Sequence, residues 1–455
     1  MKKIFYLSIT LIVLSGIVSC RKYVEIDPEQ TRPLKTTTEY EMLLYNANLL
    51  EPSYTLPLFS GDDIGSDEIV WQNSLGITQG NAYTWAENYF GTEEEDSQWS
   101  ALYRQMYIYN LVVNGVMDSD NGPDALKRKV LAYAKVHRAY TYLVLVNMYA
   151  PQYDAATAAS DPGVPMLLTP SFTGSLKRAT VQEVYEQIVK DLTEALGDLP
   201  AIADVKSNPS QSAAYGLLAR AYLNMRDFTN AQTASENALA LNSNIVDLNA
   251  YAAAPATYPT KLVDPEAIFL KRTALAPTFL PVSSHMLSLF DVNDIRYKIF
   301  TMPASSIQGA QINTGRGYFK YRLRGEGIFI GPTVPEMILI RAECLARKNQ
   351  FQNAMDVVNS LRIKRFPASA YTPFNAADAS AALSMVMNER ERELMGTGSR
   401  WFDQRRLSKD QGLIGTVART FKSVSYSLEP GSNRYVYPIA PRYITMNPEI
   451  VQNPR

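Results

Sequence analysis

Ser212-Ala213-Ala214-Tyr215-Gly216-Leu217-Leu218-Ala219-Arg220-Ala221-Tyr222-Leu223-Asn224-Met225-Arg226-Asp227-Phe228-Thr229-Asn230-Ala231 is the stretch on which the fold turns. It reads as a helix with small residues on one face, a short polar turn, and a second helix that begins at the aromatic. The same offsets return further on, where Ala342, Leu345, Phe351 and Ala354 repeat Ala219, Tyr222, Phe228 and Ala231. Small residues let two helices approach closely, and the aromatic fills the corner between them. Two copies of one such unit predict a mostly α-helical chain built from stacked helical hairpins.

The unit is similar to the helix–turn–helix of tetratricopeptide repeats, whose tandem period of about 34 residues is here broken by a large insertion. Working outward, 97–117 carries Trp99, Leu102, Tyr103, Met106, Tyr107, Asn110 and Val113 at helical spacing. A long amphipathic run follows at 124–149 and ends before Pro151. Another, 180–199, opens with Thr180 and Glu183, the spacing of a capping box. These two are candidates for further, degenerate hairpins. A helix is expected at 38–50, with Thr36–Thr38 as caps and Glu39 and Glu41 in its first turn. By contrast, 51–97 and 244–335 show no sustained period and read as long irregular insertions, the second with short strands at 267–270 and 318–322. Long loops in compact proteins are usually functional. After Trp401 the chain reads as a loop-rich, wrapped tail.

At the N-terminus, Lys2 and Lys3 precede an apolar run from Ile4 to Val18 broken by Ser8, Thr10, Ser15 and Gly16. That is short of the roughly 20 apolar residues a membrane span needs, and it suits a signal peptide over 1–19. Ile17-Val18-Ser19-Cys20 resembles a bacterial lipobox, so Cys20 is expected to become a lipidated N-terminus, carrying palmitate-type acyl chains. Each buried methylene contributes about 0.8 kcal/mol to membrane binding, so several chains hold firmly. Residues 20–33 then read as a tether.

Lys and Arg total 44 against 45 Asp and Glu, so no field favours nucleic acid. The second of two cysteines, Cys344, has no intrachain partner once Cys20 is acylated and reads as a small core residue. Two histidines leave little for acid–base or metal chemistry, whereas 28 tyrosines suit an aromatic recognition surface. His137 lies mid-helix and reads as hydrogen-bonded or solvated; His285 has no acid near it in sequence. No nucleophile elbow, P-loop or paired-histidine zinc motif is present. Carboxylates cluster at Asp62-Asp63, Asp67-Glu68 and Glu93–Asp96. Such a pair serves a glycosidase only at about 5–10 Å across a cleft. Oxygen-rich loops can also hold calcium, but no EF-hand spacing appears. The expectation is therefore no catalytic residue, no bound metal and no cofactor beyond a loop calcium.

The chain resembles the SusD/RagB family of surface lipoproteins, the nutrient-binding partners of SusC-like TonB-dependent outer-membrane transporters. Tyr23-Val24-Glu25-Ile26-Asp27-Pro28 looks like the family's post-cysteine segment. Trp99, Tyr103, Ile108 and Asn110 match its first core helix, and Asp294-Ile295-Arg296 its Asp-x-Arg turn. Glu389-Arg390-Glu391-Arg392-Glu393-Leu394, with Gly398, Arg400, Trp401, Phe402, Asp403 and Arg405, carries the most specific likeness. The tail matches at Tyr437-Pro438-Ile439-Ala440-Pro441, Asn447-Pro448 and Gln452-Asn453-Pro454. Where the family usually has Glu before the glycine stands Thr397, which removes one ion-pair partner. The spacing in 389–406 suggests interlocking Arg–carboxylate bridges that clamp the tail onto the helices.

The resemblance implies one SusD-like domain over 20–455. Its N-terminal part is 34–240 with a first insertion at 51–97, followed by a second insertion at 244–335 and a C-terminal part at 336–455. It implies a non-enzymatic protein at the outer membrane, facing outward, that captures an oligosaccharide or polysaccharide. Capture of a peptide, or a surface glycan hydrolase, are the alternatives. Ligand sites of the family lie in the irregular insertions. Asp67, Trp71, Asn73 and Tyr83 are the candidates in the first, Trp71 as a stacking platform. Phe279 and Tyr318 are those in the second, beside Tyr297 and Tyr321.

Overall fold

The computed structural model describes residues 34–171, 173–274, 279–320 and 327–455. The readings for 1–33, Cys20 among them, and for Tyr321 fall outside those residues. Two helices, α1 (Thr37–Leu43) and α2 (Ala47–Leu50), stand where one was expected over 38–50. The Asn46 side chain accepts from the Leu49 N–H and so starts a new helix instead of continuing the old one. Thr36 caps α1 in a full capping box with Glu39. The first insertion is less irregular than its sequence suggests. It folds α3 (Pro57–Ser60), α4 (Ile69–Ser74) and α5 (Ile77–Tyr83), each too short to display a period.

The frame begins with α6 (Ser97–Gly115) and α7 (Asp124–Tyr149), and a short antiparallel pair follows, β1 (Pro162–Pro165) with β2 (Arg178–Thr180). Then come α8 (Val181–Ala195), entered through the Thr180–Glu183 capping box, α9 (Gln211–Met225) and α10 (Phe228–Leu241). The second insertion carries α11 (Ser284–Ser288), α12 (Ile295–Ile299) and the antiparallel pair β3 (Thr301–Pro303) and β4 (Arg316–Tyr318). The strand expected at 267–270 is reduced to one bridge, Ala267 to Thr333. The frame resumes with α13 (Val334–Arg347), α14 (Phe351–Arg362), α15 (Ala379–Leu394) and α16 (Ser399–Leu407). The tail adds a hairpin, β5 (Val417–Phe421) with β6 (Val424–Leu428), and α17 (Pro441–Met446).

Each frame helix packs on the next: α6 on α7, α7 on α8, α8 on α9, α9 on α10, α10 on α13, α13 on α14, α14 on α15. The stack thus passes over the second insertion as though it were absent. The two repeat units agree down to the backbone. Arg226 (φ 62°) and Asn349 (φ 61°), each two residues before the aromatic, are left-handed. In both, the following N–H returns to the carbonyl five residues back, Asp227 to Tyr222 and Gln350 to Leu345 at 2.9 Å each. This is the Schellman closure that satisfies a helix's last carbonyls.

The charged stretch 389–406 is almost wholly internal, and its bridges differ from the expected clamp. Arg296, fully buried, pairs with Asp294, Glu389 and Glu393 at 2.7–2.8 Å. Arg365 joins Glu393 to Glu266, and Arg362 and Arg392 both reach Glu389. Arg390 and Arg406 hold Asp403, and Arg406 also holds Glu343. The network therefore ties α15 to the second insertion, α13, α14 and α16. The end of the tail is held elsewhere: Arg178 donates to the Val451 carbonyl (2.7 Å) and to Asn453 Oδ1 (2.8 Å). Asn453 in turn donates to the Tyr149 and Tyr437 carbonyls.

All four tryptophans are buried, and Cys344 packs inside α13. His137 is buried too, stacked on Tyr109, with Nδ1 3.1 Å from the Lys271 ammonium. Burial pushes Lys271 down to about 7. Among the described residues no helix is long and apolar enough to cross a membrane.

Candidate functional site

The two insertions meet edge to edge. Ile64 bridges Val282, the Gly65 N–H donates to the Pro281 carbonyl, and the Ser283 N–H donates to that of Asp63. This seam forms one side of a cleft of 480 Å³, a size suited to a small ligand or a few sugar units. Asp62, Gly65, Ser66 and Asp67 line it from the first insertion, and Ser284 and His285 from the second. Opposite stand Asn388 and Glu391, one turn apart on α15, with Arg400 of α16 and the stretch 413–419 that leads into β5.

Arg419 fixes that last wall. Its buried guanidinium donates to the carbonyls of Phe59 (2.8 Å), Ser60 (3.3 Å) and Tyr83 (2.5 Å), and to that of Gly61. The first two and the Gly61 carbonyl lie at the C-terminal, negative end of α3, and that of Tyr83 at the C-terminal end of α5. The guanidinium also lies over the rings of Tyr83 (4.1 Å) and Trp85 (4.4 Å). With no carboxylate paired to it among the described residues, this cation is stabilised by carbonyl dipoles and ring faces.

The floor holds four charged groups. Arg400 pairs with Asp62 at 2.5 Å and with Glu391 at 3.0 Å. His285 Nε2 lies 2.8 Å from Glu391 Oε1 while the imidazole stays 47 % exposed. Burial alone would raise the Asp62 carboxyl, but Arg400 outweighs it and holds it below the usual range. The hydrogen bond to Glu391 raises His285 above its ordinary value, with further help from the Asp62 charge and against desolvation and Arg400. One ligand atom each of Asp62, His285 and Glu391 falls within 4.8 Å, a spacing that would suit a metal ion. The Arg400 guanidinium, however, already bonds both carboxylates and so stands as the built-in cation of this group. Next to it, Asp63 is fully buried, takes the Gly396 N–H (2.8 Å), and is pushed by burial up to about 7.

The candidate residues read from sequence are dispersed. Trp71 is 0 % exposed and meets Tyr83 edge-on, ring centroids 5.0 Å apart, so it is a core residue with no face for a sugar. Phe279 and Tyr318 are likewise buried. The Phe279 ring fills the space over Gly317, and the Tyr318 ring that over Gly396, whose φ of 71° suits a residue without Cβ. Asn73 is exposed on α4 but does not line the cleft. Asp67 and the edge of Tyr83 do line it. Three carboxylates of the acidic clusters are bonded within the fold. Glu68 accepts from the Asn313 and Thr314 amides, Glu94 from Thr78 and the Gly91 N–H, and Asp96 caps α6. A second hollow of 430 Å³, between α5 and the start of α6, is lined by Glu94, Glu95 and Asp96 and by Leu56 and Phe90.

What the sequence reading missed is the His285–Glu391–Arg400–Asp62 group and the 413–419 wall. Asp62-Asp63 and 389–406 each stood out separately, but nothing local joins them, since Glu391 lies 106 residues from His285.

Residues 39–223 match a family described as "Starch-binding associating with outer membrane", and residues 335–455 match the SusD family. The chain belongs to the SusD family. Its fold is shared with a SusD superfamily protein from Bacteroides thetaiotaomicron (TM-score 0.75, 19 % identity, covering 92 % of this chain and 100 % of that one). A SusD-like carbohydrate binding protein from Bacteroides vulgatus is similar (TM-score 0.69, 19 % identity, 92 % and 98 % covered). So is a laminarin binding SusD-like protein (TM-score 0.68, 19 % identity, 92 % and 99 % covered). A search of curated protein sequences gives no significant match.

Proposed function

We propose that this protein captures a saccharide nutrient in the cleft between its two insertions and hands it to a TonB-dependent transporter of the outer membrane. In this reading it is held at the cell surface by a lipid on Cys20. The observation that carries the reading is the coincidence of SusD family membership with a 480 Å³ cleft that offers hydroxyl, amide and carboxylate groups together. Such groups match a ring of sugar hydroxyls, which both donate and accept. The laminarin binding relative adds support for a glycan.

Binding rather than hydrolysis fits the charges. A glycosidase needs one carboxyl raised to serve as a proton donor beside the scissile bond. Asp62 is held low by Arg400, and Asp63, the raised one, is buried away from the cleft lining. Neither a metal nor a cofactor is required by this reading. In a shallow, polar cleft, dissociation constants near micromolar or weaker are expected, about −8 kcal/mol or less favourable.

Isothermal titration of the purified protein against a glycan panel tests the proposal. Saturable binding without turnover is the expected result; turnover of a bound glycan would revive the hydrolase reading. For the anchor, C20A should release the protein from the membrane fraction. For the partner, a TonB-dependent barrel should co-purify from solubilised outer membranes, and its reproducible absence would remove the transporter from the proposal.

A further inference from the structure

Three cationic side chains line the cleft: Arg400, Arg419 and His285. Two of them are already committed to the protein at most of their nitrogens. Arg400 directs Nε and both terminal nitrogens at Asp62 and Glu391. Arg419 divides its terminal nitrogens among four backbone carbonyls. His285 is different. Its Nε2 is engaged by Glu391, the ring is 47 % exposed, and Nδ1 has no protein partner among the described residues.

The pairing fixes what Nδ1 can do. A carboxylate accepts, so Nε2 carries a proton in either charge state. In the neutral ring Nδ1 is then an acceptor; in the imidazolium it is a donor with a full charge behind it. The groups facing the ring are Glu391 from α15, Asp62 from the first insertion and Arg400 from α16. Two anions against one cation favour the imidazolium, the direction in which the group is shifted. Around it the remaining polar groups suit hydroxyls: the exposed Asp67 accepts, and Ser284 and Asn388 do both.

We propose that His285 is the specificity-determining residue of the cleft, donating from Nδ1 as an imidazolium to an acceptor oxygen of the ligand, a sugar carboxylate or acetamido carbonyl. This rests on the cleft being the saccharide site. A sugar hydroxyl can reorient to meet Nδ1 in either charge state, but a carboxylate or amide carbonyl only accepts. Affinity for acceptor-bearing sugars therefore falls as pH rises through the titration of His285, whereas affinity for plain hydroxylated sugars does not.

The test is calorimetric titration at pH 6 and pH 9 with a trigalacturonide, chitotriose and a neutral glucotriose, on wild type and H285Q. Glutamine keeps a hydrogen bond to Glu391 and cannot charge; an unchanged melting curve shows that the variant is folded. Expected is tighter binding of the trigalacturonide or of chitotriose at pH 6, weaker by roughly tenfold at pH 9, and flat in H285Q. Which of the two binds separates the carboxylate from the acetamido source. Binding that is insensitive to pH and unchanged in H285Q would overturn the role of His285 and leave the cleft as the saccharide site. No binding by any member of a broad glycan panel would overturn both.

Discussion

Glu389 is the position at which the internal charge network is most exposed to test. It is fully buried, and three guanidiniums converge on it, from Arg296 (2.8 Å), Arg362 (2.9 Å) and Arg392 (2.7 Å). Replacing it with glutamine keeps the volume and one oxygen but removes the charge. It also turns an amide N–H₂ toward a guanidinium that donates. Three arginines are then left around two carboxylates, Asp294 and Glu393. Breaking a buried pair by removing one partner costs about 3–5 kcal/mol, because the other charge stays desolvated. At about 2.1 cal/mol/K per residue, a chain of 455 residues shifts its melting temperature by about 1 °C per kcal/mol. E389Q should thus melt about 3–5 °C lower at pH 7. D198N, which breaks the exposed Arg128–Asp198 pair, serves as control and should move by less than about 1 °C. Burial would raise the Glu389 carboxyl, but Arg296, Arg392 and Arg362 outweigh it and hold it well below the usual range. A group lowered in the fold stabilises above its unfolded value, near 4.3, and loses that contribution as pH falls toward its folded value. The gap between wild type and E389Q should therefore be full at pH 7 and shrink below about pH 4. Differential scanning calorimetry reads both. An E389Q shift no larger than that of D198N, or one that does not narrow in acid, would refute the reasoning.

Three further outcomes are expected. W71A should destabilise by about 3–5 kcal/mol in urea, as truncation of a core aromatic does, rather than act on binding alone in a fully folded protein. S423G should stabilise by about 1 kcal/mol, since Ser423 closes the β5–β6 turn at φ 66°, a left-handed conformation that glycine adopts without strain; a urea midpoint measures it. D63N tests the buried carboxyl, which burial pushes up to about 7 against the Gly396 amide. A group raised in the fold stabilises below its unfolded value and loses that contribution as pH climbs to the folded one. Relative to wild type, D63N should gain on the order of 2 kcal/mol between pH 5 and pH 8, seen in paired denaturation curves.

The frame was legible because its determinants are local. The capping box at Thr180 and Glu183 and the small-residue faces of α9 and α13 act within one or two turns, so a period betrays them. Both repeat turns followed from offsets alone. The cleft was not legible because its groups are joined only by the fold, Arg400 lying 338 residues from Asp62. Aromatics misled for a different reason: a tryptophan among polar residues suits a sugar platform and an internal staple equally, and burial alone separates them at Trp71. The β5–β6 hairpin escaped because its two-residue turn is Lys422-Ser423, both at positive φ, where Asn or Gly would have announced it.

The Arg419 cage has a consequence for the order of assembly. Its guanidinium closes on carbonyls 336–360 residues earlier in the chain, and loop closure over such a span is slow compared with pairing of neighbouring helices. An intermediate with the helical stack formed but Arg419 still unseated would have most of its helix content and no cleft. Ligand would then discriminate sharply between that species and the finished protein. By mass action it would protect the native state in proportion to its free concentration over its dissociation constant. Recovery of ligand binding during refolding should accordingly lag behind recovery of helical circular dichroism.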